Sequence, residues 1–160
     1  MHPAALALMD VALDDADFVQ LPVRAEPQDS STWIAGHYCD EFAESHGKTM
    51  VVRDWLGTGL PAAGVSCAFR RETVDRIARE RGAAEPFAAE CLTEDYECGL
   101  LIEEIGGVAR FLRARDVDGS LVATREFFPG GLAAAVRQKT RWQHGIALQG
   151  WDRKIGRAHV

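Results

Sequence analysis

The chain has 160 residues, 47% of them hydrophobic and 26% charged, with a net charge of −6; that is the balance of one globular domain and excludes a chain disordered throughout. No run approaches the ~18 consecutive apolar residues of a membrane-crossing helix, and the opening MHPAALALMDVALDD lacks the basic n-region of a secretory signal. Overall acidity without a basic-aromatic module argues against nucleic-acid binding. The charge is uneven, because Gly107 to Val160 carries +6 and the rest −12. An anionic ligand or membrane surface is expected near the last third, against the plainer alternative of a solvated basic face.

Phe18 to Val23 (FVQLPV) predicts a buried strand. Ser30 and Ser31 are placed to cap a helix through TWIAGHYCDEFAESHG, with Trp33, Tyr38 and Phe42 expected on one face. GLPAAG is a loop, and Gly64 to Phe69 (GVSCAF) an extended segment. ETVDRIARERG predicts a charged helix stopped by Gly82. After the connector GAAEPFAAE, Thr93 is expected as an N-cap, with Glu94, Asp95 and Glu97 in the first turn. Leu100, Leu101 and Ile105 would form the apolar stripe until Gly106-Gly107. Val108 to Asp116 and LVATREFFP read as strands around a turn at Asp118-Gly119, and Leu132 to Gln149 reads as helical. Helices and strands interleave, which predicts an α/β domain. Cys39, Cys67, Cys91 and Cys98 form no CxxC pair and are expected to be reduced thiols.

Two constellations carry possible chemistry. Acidic residues in a helix's first turn usually serve the helix dipole and the free N–H groups. The alternative at LTEDYECGL is that one carboxylate faces a cleft as a general base. In VRQKTRWQHGIALQGW, the residues Gln138, Arg141, Trp142, Gly145 and Gln149 fall within an arc of roughly 100° of a helix. Arg offers a donor fork suited to phosphate, Gln an amide, and Trp a flat surface for a sugar ring. Gly145 would let a ligand or a backbone approach closely. The plainer alternative is an amphipathic surface helix anchored by its Trp. His144 points to another side.

TED (Thr93, Glu94, Asp95), followed by QKTRW (Gln138 to Trp142), resembles the paired TED and QxxRW signatures of processive-type family 2 glycosyltransferases, which include cellulose synthase catalytic subunits. The wording of ADFVQLPV, YCDEFAESHGK, GVSCAFRR, LTEDYECGL, and VATREFFP with AAVRQKTRWQHGIALQGW is closer still to inner-membrane glycosyltransferases of the phage adsorption protein B type. The resemblance covers about residues 2–153. It implies the C-terminal, acceptor-side half of a GT-A domain, a mixed sheet flanked by helices. It also implies an inverting transfer from a nucleotide-sugar donor to a glycan acceptor in bacterial surface polysaccharide synthesis.

Carried over by motif, Asp95 would be the catalytic base and Glu94 a supporting acidic residue. Gln138, Arg141 and Trp142 would line the acceptor and diphosphate side. Lys139 departs mildly from the Arg or Gln of many cellulose synthases. The family's Mg²⁺ or Mn²⁺ is held by a DxD motif that is absent from this chain; Asp14 and Asp15 lie on a predicted helix and do not replace it. Residues 1–154 are therefore expected to be a partial domain, inactive alone, and 155–160 a non-native tail. The full-length protein is expected at the cytoplasmic face of the inner membrane, with the fragment soluble and open to self-association through an exposed sheet edge. A non-catalytic module binding glycan or nucleotide is the alternative. A two-carboxylate hydrolase is disfavoured, because adjacent helix residues do not face each other across the ~5–9 Å such enzymes need.

Overall fold

The computed structural model describes residues 1–82, 85–87 and 91–150. The connector GAAEPFAAE lies partly outside these residues, and the tail 155–160 wholly so. In chain order the elements are α1 (Ala5–Ala12), β1 (Phe18–Gln20), β2 (Val23–Ala25), α2 (Thr32–Glu44), α3 (Met50–Leu56), β3 (Cys67–Phe69), α4 (Arg71–Arg81), α5 (Glu94–Glu104), β4 (Ala109–Phe111), β5 (Thr124–Glu126) and α6 (Leu132–Gln143). Two π-helical turns follow helices directly, Ser45–Thr49 after α2 and His144–Gln149 after α6. The architecture is mixed α/β, as the interleaving predicts. β1 lies between antiparallel β3 and parallel β4, and β2 pairs parallel with β5.

The expected strand over Phe18 to Val23 is two strands. Pro22 has no N–H to give a ladder; its carbonyl accepts from Thr124 N, and the chain passes from β1's sheet to β5. β1 is buried on both faces, which explains its unbroken apolar run. Phe18 joins Ile77, Ile102 and Phe111 on one side, while Val19 and Leu21 join Ala5, Met9 and Val122 on the other. Phe18 also stacks on Phe69, with ring centroids 4.5 Å apart.

Other expectations need correction. Trp33 is 91% exposed while Tyr38 is wholly buried. Five residues at about 100° each set them about 140° apart; Tyr38 and Phe42 share the inward face. On α5 the fully buried line is Cys98, Gly99 and Ile102, with Leu100, Leu101 and Ile105 only half-buried. Gly99 is the reason. A Cβ there would stand 2.4 Å from Ala62 N and 2.6 Å from Leu60 O, so α5 rides directly on the 60–62 backbone. Asp14 and Asp15 fall just beyond α1, in a turn. Gly82 does end α4, in the left-handed conformation at φ 65°.

Asp17 ties three elements together. Its carboxylate accepts from Thr73 Oγ1 at 2.5 Å and Val108 N at 2.8 Å, and its carbonyl accepts from Arg70 N. Burial pushes this carboxyl up, but the Thr73 and Val108 bonds with the Arg70 and Arg76 charges outweigh it, leaving the group below its ordinary 3.8. A lowered folded-state value gives stability that is present above the ordinary carboxylate range and is lost as pH falls through the lowered value. Asp17→Asn is expected to flatten the acid limb of the stability curve, read by urea unfolding at about pH 7 and about pH 3. An unchanged limb removes Asp17 from that role.

Candidate active site

Asp95 sits in the first turn of α5, whose start is clamped from two sides. On one side is the turn after α6. A Cβ at Gly145 would stand 2.5 Å from Thr93 Oγ1, and Gln149 Oε1 accepts from Leu92 N at 3.0 Å. The close approach expected at Gly145 is thus made by the Thr93 side chain. For the same reason Thr93, though at the N-cap position, makes no side-chain capping bond.

On the other side is the loop before β3. The buried Gln20 amide holds this loop: Oε1 accepts from Ala63 N at 2.9 Å, and Nε2 donates to Val65 O at 2.9 Å and Ser66 O at 3.2 Å. Four carbonyl and N–H partners on one buried amide, Leu21 O included, leave it fully engaged. The loop thereby delivers Gly64, at φ 74°, against the Asp95 carboxylate; a Cβ at Gly64 would lie 2.3 Å from Asp95 Oδ2. Only glycine combines that φ with that approach.

Asp95 Oδ1 accepts from Tyr96 N at 2.8 Å. Burial pushes its carboxyl up and the neighbouring Glu94 charge adds to this. The Tyr96 bond and the Arg141 guanidinium pull the other way, and the balance remains upward. A raised carboxyl is a stronger proton acceptor than an ordinary one.

Asp95 opens onto a cavity of about 190 Å³. Its walls are Thr93, Asp95 and Tyr96 of the α5 start, the 61–63 loop, Glu41 and Phe42 of α2, Ser45 and His46 of the following turn, Met50, Trp142 and Ile146. Trp142 meets Tyr38, Phe42 and Phe128 edge-on, with centroids 6.2, 6.4 and 6.3 Å away. Lys139 Nζ lies over the Tyr38 and Trp142 rings at 4.7 and 4.9 Å and is ion-paired with Glu41. These contacts fix the indole before any ligand arrives.

Asp95 and Trp142 therefore share one cavity. Arg141 is exposed, yet close enough to act on Asp95's charge. Glu94 is exposed and Gln138 half-buried, and neither is among the cavity walls; Gln138 Oε1 is buried without a partner among the described residues. The α2 wall was missed in the sequence. Its signal was there in the i, i+1, i+4, i+5 spacing of Glu41, Phe42, Ser45 and His46, but that pattern also describes an ordinary buried helix face. Among the described residues no three His, Cys, Asp or Glu side chains gather as a metal set.

A family model described as glycosyl transferase family group 2 matches residues 3–159. Bacteriophage adsorption protein B of Escherichia coli strain K12 is 33% identical over 167 aligned positions, covering 94% of this chain. Bacteriophage N4 adsorption protein B of E. coli O157:H7 is similar to the same degree. The chain spans 22% of the length of these curated relatives. The mixed sheet flanked by helices is consistent with a GT-A domain, and the chain belongs to glycosyl transferase family group 2.

Proposed function

We propose that this segment is the base-bearing, acceptor-side part of an inverting glycosyltransferase that moves a sugar from a nucleotide-sugar donor to a glycan acceptor in bacterial surface polysaccharide synthesis. The observation carrying the reading is the shared cavity of Asp95 and Trp142, with the Arg141 charge, outside the cavity walls, acting on Asp95. In the reaction Asp95 takes the proton of an acceptor hydroxyl as that oxygen bonds to the anomeric carbon. The bond from that carbon to the diphosphate breaks, and the leaving group keeps the electron pair. Arg141 offsets the growing charge on the diphosphate. Trp142 offers its face to a sugar ring. One displacement inverts the anomeric centre.

The family resemblance implies a Mg²⁺ or Mn²⁺ that would neutralise the donor phosphates, and no step here runs through it. The basic last third suits a dianionic leaving group, and it also suits an inner-membrane surface on the cytoplasmic side. No helix among the described residues is long and apolar enough to cross a membrane.

The reading is tested by a split between two variants. With the segment carried in the full-length E. coli relative, Arg141→Ala is expected to weaken nucleoside diphosphate binding about tenfold, the effect of losing one charge-assisted bond. Trp142→Ala should leave that binding intact and raise the KM for acceptor. Equal effects of both variants on both ligands would overturn the assignment.

A further inference from the structure

The far wall of the cavity has its own chemistry. α2 runs into α3 through the turn Ser45–Thr49, where Met50 N donates to Ser45 O across five residues. Such π turns occur often at functional sites, because the extra residue re-aims the side chains on one face. Here the helix and turn present Glu41, Ser45 and His46 to the cavity, opposite α5.

His46 is the most constrained of the three. Its ring stacks on Phe42 with centroids 5.4 Å apart and meets Phe111 edge-on at 5.7 Å. Nδ1 accepts from Val23 N at 3.1 Å. An acceptor nitrogen carries no proton, so in the neutral ring the proton is on Nε2. Among the described residues no second hydrogen bond engages this ring, which lines both this cavity and a second one beside Val23, Arg24 and Cys39; Nε2–H is the polar atom the ring has left to offer. Burial pushes His46 down to about 4, so the ring is neutral at physiological pH. Glu41 is charge-matched by Lys139, which itself is not among the cavity walls. The wall therefore offers donors and acceptors but no uncompensated cation, the reverse of what a phosphate requires. A volume of about 190 Å³ equals about six waters, room for one sugar ring.

We propose that Glu41, Ser45 and His46 form the recognition wall for a neutral sugar ring of the acceptor, with His46 Nε2–H donating to one of its hydroxyl or ring oxygens. This deepens the reading of the Asp95 cavity as the acceptor site and rests on it. Phosphate recognition is left to Arg141, which is outside these walls, so donor and acceptor are sorted by charge.

The test is made on this chain with nitrogen-15-labelled histidine. Methyl β-glucoside, methyl β-galactoside and methyl N-acetyl-β-glucosaminide are titrated, with inorganic phosphate as the contrasting probe. At least one glycoside is expected to shift the His46 Nε2 resonance, and phosphate to leave it in place. His46→Ala should weaken that glycoside about tenfold, and His46→Gln, which keeps an N–H donor, should recover part of the loss. Because the resonance is read in the unsubstituted chain, the outcome stands even if a variant folds poorly. A glycoside that binds without moving His46, a shift produced by phosphate instead, or no binding by any of the three glycosides overturns the proposal. The base assignment fails separately: transfer surviving Asp95→Asn leaves a glycoside at His46 intact, and transfer lost in that variant says nothing for the wall.

Discussion

Asp95→Asn, placed in the full-length E. coli relative carrying this segment, is expected to lower sugar transfer about 10³-fold and to leave nucleoside diphosphate binding unchanged. The amide keeps the shape of the side chain and its bond from Tyr96 N, but it has no basic oxygen to take the acceptor proton. On the proposed mechanism, what would remain is orientation and the help of Arg141 to the leaving group. The pH profile supplies the second half of the result. Burial and Glu94 hold the Asp95 carboxyl above its ordinary value. Activity should therefore rise as pH climbs through that raised value, because only the ionised form accepts a proton. In the variant this acid limb disappears along with the rate. Transfer within tenfold of the parent, or an acid limb that survives the substitution, assigns the proton to another group.

The parts of this site that were legible in the sequence are those where one local rule dominates. Three acidic residues ahead of an apolar run mark the α5 start, and Gly82 and Gly106 mark helix ends, because dipole and left-handed backbone act within one turn. The Gln138 to Gln149 face was legible for the same reason. Trp142, Gly145 and Gln149 do turn toward α5, although the chain from His144 to Gln149 is a π turn rather than α-helix and Gln138 and Arg141 are not among the cavity walls. What was not legible depends on partners far away in the chain. Gly145 looked like room for a ligand or a backbone, and the Thr93 side chain fills it. Thr93 looked like a cap, and Gly145 takes its side chain elsewhere. Each residue's role is set by the other, 52 positions away, and no local pattern carries that. Gln20 reads as a polar interruption in an apolar strand. Only the fold reveals that its amide holds the loop on which Asp95 depends. His46 was hidden similarly, since its tautomer is fixed by the N–H of Val23.

The dependence of Asp95 on that loop gives the second large effect. Gly64→Ala places a methyl group 2.3 Å from Asp95 Oδ2 and 3.3 Å from its Cγ, so something must move. The loop is poorly able to yield, because Gln20 bonds Ala63 N, Val65 O and Ser66 O at once, and shifting it would strand buried polar groups at about 1–3 kcal/mol each. Rotating one carboxylate costs less, so Asp95 turns away from its resting position. A displaced base should cost about 10²-fold in kcat, with donor binding unchanged. The substitution also carries the ordinary penalty of a side chain at positive φ, about 1–2 kcal/mol of stability. Gly57 separates the two contributions. It has a similar φ of 65° but nothing within 4 Å of its added Cβ, and it lies outside the cavity. Gly57→Ala is therefore expected to lose stability to a similar extent and to keep its activity. If the two alanine variants fall equally in kcat, backbone strain alone accounts for the loss, and the contact between residue 64 and the carboxylate has no part in placing the base.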